Sequence, residues 1–432
     1  MNLKKWSAGV AGVAVIAVVV GMALTSHSTI DPVSPPQAGH FSHDEIARGQ
    51  QLYQAGDCAV CHTRPGGKRD AGGLALNSPM GAIYSTNITP DPQYGIGGWS
   101  FEAFRRAMRE GIDREGNHLY PAFPYTAYTH VSDGDLKALY AWLMTRPAVH
   151  EAAPETDLGF PFNIRRGIWL WNQLFLDKGP LPVARVPEGL DPARWERGRY
   201  LVEGLGHCSA CHSPRNLLFA EKGGESHLGG GEVDGWVAPA LNAQSPAPHR
   251  WQEEDLYQFL KTGYSPRHGA TAGPMAPVIK EGTSALAESD LRAIATYIAG
   301  LQKDRTDRPL LPVKAIESAT LRSTDSEGAR LYSGACMACH AQSLGADMHG
   351  VRPSLQQATQ FHLATPDNAI RAVLDGVTEP ASDGLGTMPG FRHNMNDSQV
   401  AALLNFIRQQ VAGQPTWPDL EQRVRAIRAE RH

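Results

Sequence analysis

The sequence predicts an all-α protein, three small helical modules in tandem behind an N-terminal signal or anchor helix. Three observations carry this. The run Cys-x-x-Cys-His occurs three times, at Cys58–His62, Cys208–His212 and Cys336–His340. Each copy lies between a short helical segment bearing a glycine and an amphipathic helix ending in an aromatic residue, which is an internal repeat. Ahead of them, Lys4 and Lys5 precede an uncharged, largely Ala, Val and Gly stretch from Ser7 to Leu24. The divisions that follow are 1–30 as signal peptide or membrane anchor, 40–148, 190–302 and 325–412 as modules, 149–189 and 303–324 as linkers, and 413–432 as a C-terminal tail.

A basic start followed by an apolar core is an export signal. Its 18 residues are long for a cleaved signal and just long enough to span a bilayer. Gly21-Met22-Ala23 offers a small-x-small cleavage site, and the two lysines would hold an uncleaved N-terminus in the cytoplasm. Within the modules, the glycine segments are Arg48-Gly49 to Tyr53, Arg197-Gly198 to Val202 and Glu327-Gly328 to Tyr332. The closing helices carry Leu136/Trp142, Leu291/Tyr297 and Val400/Phe406, all six positions apart. Asp133, Ser289 or Asp290, and Asn396 or Asp397 supply N-cap chemistry before those helices. A glycine on the first helix lets the aromatic of the last helix cross it closely. The 149–189 linker is rich in proline, and its run from Phe160 to Leu176 is strongly aromatic. That run reads either as a helix buried between modules or as a docking face for a partner or a membrane surface.

Composition narrows the chemistry. Among 432 residues, 40 basic and 44 acidic side chains leave a net charge of −4, which argues against a polyanion partner such as nucleic acid. Six cysteines are too few for a disulfide scaffold, and all six lie in the three motifs. Cys-x-x-Cys-His is the attachment signature of c-type haem. Two thiols on one helical turn reach the two vinyl groups of a single haem, and the adjacent histidine turns its imidazole to the iron. The expectation is three covalently bound haem c groups, held by Cys58 and Cys61, Cys208 and Cys211, and Cys336 and Cys339, with His62, His212 and His340 as axial ligands. A thioredoxin-type motif lacks its βαβ context. A zinc site would pair two knuckles tens of residues apart, whereas these are separated by 150 and 128 positions.

The modules resemble class I cytochrome c, in which a methionine before the last helix is the sixth iron ligand. Module two offers Met275 in Gly-Pro-Met-Ala-Pro, and module three Met388 in Gly-Thr-Met-Pro-Gly, with Met395 as competitor. Module one has Phe123 in the matching loop, Tyr120-Pro-Ala-Phe-Pro-Tyr125. Aligned on Gly111 and Gly263, Met108 matches Leu260, on a helix that in class I cytochromes lines the distal haem face. Met108 is therefore the first choice for haem one and Met80 the alternative; a histidine such as His118, or an open site, remains. For any of these methionines the plainer role is core packing.

Longer runs identify a narrower likeness: Ile83-Tyr-Ser-Thr-Asn-Ile-Thr-Pro-Asp-Pro, Gly95-Ile-Gly, Leu119-Tyr-Pro-Ala, and Tyr200-Leu-Val-Glu-Gly-Leu-Gly-His-Cys-Ser-Ala-Cys-His-Ser-Pro-Arg-Asn216. Across nearly the whole mature chain the sequence resembles trihaem cytochrome c subunits of membrane-bound bacterial dehydrogenases. The resemblance implies a subunit at the periplasmic face of the inner membrane. It would take electrons from a catalytic subunit and pass them to ubiquinone or a terminal oxidase, with no substrate chemistry of its own. Phe123 together with Met108 looks more like the branch serving molybdopterin dehydrogenases with an iron–sulfur subunit, such as aldehyde dehydrogenases. A pyrroloquinoline quinone (PQQ) alcohol dehydrogenase or an FAD gluconate or sugar dehydrogenase is the alternative partner. Two further readings stand beside these, a peroxidase-like multihaem enzyme with an open haem one and a free periplasmic shuttle. The chain carries no phosphate-binding glycine fingerprint, flavin or nicotinamide motif, or cysteine set for its own iron–sulfur cluster.

Overall fold

The computed structural model describes residues 21–36, 38–308, 326–341, 351 and 353–430. It divides into two compact units, Met1–Tyr53 with Cys61–Pro182, and Gln54–Val60 with Val183–His432.

The first unit includes α1 (His43–Ala55, running on into the Gln54–Val60 segment of the second unit), the end of α2 (Cys58–His62, which begins in that segment), α3 (Phe101–Glu110), α4 (Asp133–Met144) and α5 (Ile168–Phe175), with a single helical turn at Tyr125–Tyr128. The start of α1 is fixed reciprocally. Ser42 Oγ accepts from the Glu45 N–H, and the Glu45 carboxylate accepts from the Ser42 N–H at 3.0 Å. Ser100 caps α3 and Ser132 caps α4 through the same kind of bond to the third helical N–H. Where α1 crosses α4, a Cβ on Gly49 would lie 1.9 Å from the Ala138 carbonyl oxygen and 2.8 Å from Trp142 Cβ. Arg48, one residue before, pairs with Asp135 in the first turn of α4 at 2.5 Å.

The second unit holds α6 (Pro192–Tyr200), α7 (Ser209–His212), α8 (Glu253–Thr262), α9 (Glu288–Leu301), α10 (Glu327–Leu331), α11 (Met337–His340), α12 (Asp367–Asp375), α13 (Asp397–Phe406) and α14 (Leu420–Ala429). The crossing recurs twice. A Cβ on Gly198 of α6 would lie 1.9 Å from Ala293 O on α9, and one on Gly328 of α10 would lie 2.3 Å from Ala402 O on α13. Tyr297 and Phe406, the aromatics expected across these glycines, have their Cβ atoms at 2.9 and 2.8 Å from the same points. Arg197 pairs with Asp290 as Arg48 does with Asp135.

Several expectations are corrected. Ser132, not Asp133, caps α4; α9 follows Ala287 without a side-chain cap, and Asp290 is used by Arg197. Asn396 does cap α13, in a reciprocal box with Gln399. The fold is not all-α. Among the described residues there are three antiparallel sheets: β1 (Ala75–Ser78), β2 (Gly81–Tyr84) and β3 (Asp157–Leu158); β4 (Gly231–Val233) and β5 (Trp236–Ala238); β6 (Tyr264–Ser265) and β7 (Gly269–Ala270). The cause is turn chemistry inside the long loops. Asp234 and Gly235 both take left-handed φ, 50° and 72°, the two-residue turn whose twist suits a hairpin. β-Branched and aromatic neighbours such as Val233, Trp236 and Val237 then favour the extended chain. Nor is a signal or anchor helix found. The expected segment falls mostly on residues 1–20, outside the described residues, and no described helix is long and apolar enough to cross a membrane.

Residues 413–432, expected as a tail, include α14, whose Val424 and Ile427 are fully buried in the core of α12 and α13. Arg408 is drawn into the same core, donating to the carbonyls of Phe361 and Leu363 at 3.2 and 2.9 Å with its guanidinium over the Trp417 ring.

A second clamp near the α6–α9 crossing sets a pH dependence. Glu203 accepts from His227 at 2.7 Å and from Tyr297 at 2.5 Å. Burial opposes ionisation of Glu203, but His227 prevails and holds the carboxyl below its ordinary value, while Glu203 lifts His227 above 6.5. The carboxylate's share is present above 4.5 and lost as pH falls through the depressed value. The imidazole's share is complete below 6.5 and lost as pH rises through the raised value. The urea midpoint of unfolding is expected to fall as pH rises from 6.5 through the raised value of His227, and to fall less in His227→Gln. Equal falls in both proteins refute the clamp.

Candidate haem sites

The three motifs fold alike. Each forms a short helical turn, α2, α7 or α11, with its histidine at the C-terminal end. None of the six cysteines is in a disulfide. In the second unit, helical residues widen into a π turn ahead of the second motif, over Leu201–Leu205, and into the start of the third, over Tyr332–Cys336. Such turns often mark functional sites in helices.

Each histidine makes the same bond. Nδ1 of His62 lies 2.6 Å from Thr86 O, that of His212 2.7 Å from Pro239 O, and that of His340 3.0 Å from Pro353 O. A carbonyl only accepts, so Nδ1 carries the hydrogen and Nε2 presents its lone pair. Burial lowers the pKa of all three imidazoles, with the backbone bond opposing, and keeps them neutral. A neutral ring held through one nitrogen, with the other available, is the donor an iron takes. Burial also pushes Cys208 up to about 12 and Cys336 to about 11. Among the described residues no group of three His, Cys, Asp or Glu is placed to hold a metal ion. The residues therefore fit haem c.

A glycine admits the next loop to each of the first two motifs. Gly72 and Gly230 donate to the carbonyls of His62 and His212, both at 2.7 Å. A Cβ on Gly231 would lie 2.3 Å from Cys211 O. Neither these glycines nor the three accepting carbonyls belong to the motif that marks the site in the sequence. The glycines leave a trace there, and main-chain oxygens leave none.

The methionines fall into a register. Helices α3, α8 and α12 each end at a glycine with positive φ, Gly111, Gly263 and Gly376. Twelve positions after these glycines stand Phe123, Met275 and Met388. Met275 and Met388 are half-buried against the cores of their modules. Met395 is 7% exposed within the hydrophobic cluster of the third module, a packing position. Phe123 meets the Tyr128 ring edge-on at 5.2 Å. Met108 is buried on α3 three positions before Gly111, as Leu260 is buried on α8 three before Gly263. Met80 sits in the β1–β2 turn, its carbonyl accepting from Gly159. His118 is buried and has no hydrogen-bond partner at either ring nitrogen.

Cys-x-x-Cys-His turns, in modules whose first and last helices cross closely at a glycine, define a c-type cytochrome. The cytochrome c family model matches residues 46–147 and 326–410. The chain is 47% identical to one of the subunits of the nicotinate dehydrogenase of Pseudomonas putida over 428 residues, 99% of this chain but 35% of that protein. It thus spans about a third of that relative's length. It is 39% identical to the gluconate 2-dehydrogenase cytochrome c subunit of Pantoea cypripedii, covering 84% of this chain and 85% of that one. Against the cytochrome c subunit of the quinone alcohol dehydrogenase of Gluconobacter oxydans it is 34% identical, covering 84% and 78%. The chain belongs to the family of dehydrogenase cytochrome c subunits, electron-transfer proteins with covalently bound haem c.

Proposed function

We propose that this chain is the trihaem relay of a dehydrogenase at the periplasmic face of a bacterial inner membrane. It takes electrons from a molybdopterin catalytic subunit with an iron–sulfur partner and passes them to ubiquinone or a terminal oxidase. The observation that carries the reading is the repeated motif geometry, three neutral histidines each held through Nδ1 by a main-chain carbonyl. Haem c, bound at each, supplies a one-electron iron couple. Cys58, Cys61, Cys208, Cys211, Cys336 and Cys339 hold it covalently, and His62, His212 and His340 coordinate it. Met275 and Met388 complete the second and third sites and Met108 the first. A methionine in that position raises the potential and closes the iron to small ligands. The three modules extend over about 40–148, 190–302 and 325–412.

The partner assignment rests on Phe123 and Met108 in module one, and on the likeness along 99% of this chain to one polypeptide of a nicotinate dehydrogenase. An aldehyde or an N-heterocycle is the substrate class this favours. The membrane location is supported by an exposed apolar face, with Phe160 80%, Leu170 58% and Leu174 59% accessible. The complex purified through this chain is expected to contain molybdenum, and iron beyond that of three haems. PQQ or FAD without molybdenum would move it to the alcohol or sugar dehydrogenases.

A further inference from the structure

Within the second unit, the β4–β5 hairpin stands between the two sides of one haem site. Where the chain enters it, Gly230 donates to His212 O at 2.7 Å, and where the chain leaves it, Pro239 O accepts from His212 Nδ1 at 2.7 Å. The hairpin also bears on the loop of Met275. A Cβ on Gly273 would lie 2.5 Å from Cδ2 of the Trp236 indole, so the ring is seated directly on that loop. Ala276 closes the turn there by donating to Gly273 O at 3.0 Å, with Met275 inside it. One ribbon of two strands therefore touches both the turn of the histidine and the turn of the methionine.

Such a ribbon does not hold itself in place, because an isolated hairpin is marginal in water. Among the described residues this sheet has two strands. Its register pairs Val233 with Trp236 and Glu232 with Val237. The pair next to the two-residue turn exchanges hydrogen bonds and the following pair does not, so Val237 turns its N–H and C=O outward. One side chain of the third module takes both. Asn368, in the first turn of α12, accepts from the Val237 N–H at 2.8 Å and donates to Val237 O at 2.9 Å, standing where a third strand would. Arg371, about one turn further along α12 and 2% exposed, donates from Nε to Gly235 O at 2.8 Å, and Glu430 takes the other end of its guanidinium. A Cβ on Gly235 would lie 2.8 Å from Arg371 Cζ, so the hairpin turn and the arginine are fitted to each other. The third module reaches the methionine side as well. Ala381 and Leu385 form a buried cluster with Ala276 and Ile279, and Met275 packs against it. In the first module the outer edge of the β1–β2 hairpin is covered by main chain, β3 pairing with β2 at Gly81 and Ala82. The second module takes its cover from a neighbour.

We propose that Asn368, a residue of the third module, is a positioning residue for the haem iron of the second, fixing the hairpin that aims His212 and backs the turn of Met275. The assignment rests on the proposed ligation of that iron by His212 and Met275. Val237 precedes Pro239 by two residues of extended chain, so a shift at the first carries to the carbonyl at the second. The bond from Nδ1 governs how strongly the imidazole donates to a metal, and the thioether favours the reduced iron. Both depend on where the ribbon lies. The potential of the second centre is thus set in part by a side chain of the next module, and the two neighbouring centres are tuned together.

The test is a redox titration of the full haem-loaded chain, followed at the haem absorption band. Asn368→Leu keeps the bulk of the side chain and removes both bonds to Val237. Asn368→Ser, too short to make them, is the second variant should the first not fold. Either is expected to shift the midpoint potential of one haem of the three, the one that Met275→Ala moves and not the one that Met388→Ala moves. Met395→Ala is the control. It empties a buried position of the third module's own core, and is expected to lower the urea midpoint of unfolding while the second haem keeps its potential. Three unchanged potentials in a folded Asn368 variant overturn the proposal. So does a shift confined to the haem that Met388→Ala moves, or an equal shift of the second haem in Met395→Ala, which would make general loosening of the third module the cause. If Met275→Ala moves no potential, it is the ligation by Met275 that fails. A shift by Asn368→Leu in a haem that neither Met388→Ala nor Met108→Leu moves then supports positioning through His212 alone.

Discussion

Gly198→Ala is expected to destabilise the second unit by about 3 kcal/mol or more. Two effects oppose each other, and their sizes decide the sign. Alanine is the better helix former by about 1 kcal/mol in a helix interior, so on propensity alone the variant gains stability. But the new Cβ would sit 1.9 Å from the Ala293 carbonyl oxygen and 2.9 Å from Tyr297 Cβ. Neither neighbour is the free end of a flexible side chain. Relief requires α6 and α9 to separate, which opens the core around Leu201, Leu291 and Tyr297 and disturbs the Arg197–Asp290 and Glu203–Tyr297 contacts. Urea unfolding followed at the haem band and by far-ultraviolet circular dichroism measures the outcome. A midpoint equal to or above wild type would mean that the helices do not cross at this distance. Gly49→Ala, with the same 1.9 Å approach to Ala138 O, should behave alike.

Met388→Ala is expected to lower the potential of one haem by on the order of 0.1 V or more, a fraction of the roughly 0.8 V range that axial ligands span. On the proposed ligation, removing the thioether takes away the ligand that favours the reduced iron and opens a coordination position. The reduced variant should therefore bind carbon monoxide at one haem more than the wild type does. The effect belongs to position rather than to loss of a core methionine, and Met395→Ala is the control. Met395 is 7% exposed in the same cluster, so its removal should cost stability and leave the potential in place. Met108→Leu tests the first module in the same way, and Met80→Leu should have no redox effect. If wild-type protein binds carbon monoxide at one haem of three and Met108→Leu changes nothing, the first haem lacks a sixth ligand from Met108.

The motifs, the glycine crossings and the closing aromatics are readable in the sequence because each is written in side chains, or in the one residue without one. Gly49, Gly198 and Gly328 lie where the repeat puts them, opposite Trp142, Tyr297 and Phe406. The hairpins escape a reading by helical periodicity although Asp234-Gly235 is a strong turn signal, because strands of two to four residues are too short to show alternation. Helix α14 reads as a tail for a different reason. Its Leu420, Val424 and Ile427 recur at helical spacing, but they lie beyond the repeat that marks the modules. The caps at Ser132 and Ala287 differ from expectation by a residue or more, the ordinary uncertainty of helix ends. The bonds between Asn368 and Val237 join positions 131 apart, a conjunction that only the folded chain provides.

The three bonds that steer the imidazoles end on peptide oxygens, those of Thr86, Pro239 and Pro353. Peptide oxygens are present whatever the codon says, so no substitution at those positions deletes the acceptor; only a shift of the loop can. The orientation of each imidazole is thereby set by the course of the loop rather than by the side-chain chemistry at 86, 239 and 353. Selection on this function falls instead on the glycines that let the loops approach. The inheritance of the haem geometry is carried by the path of the chain rather than by the residues that touch the ring.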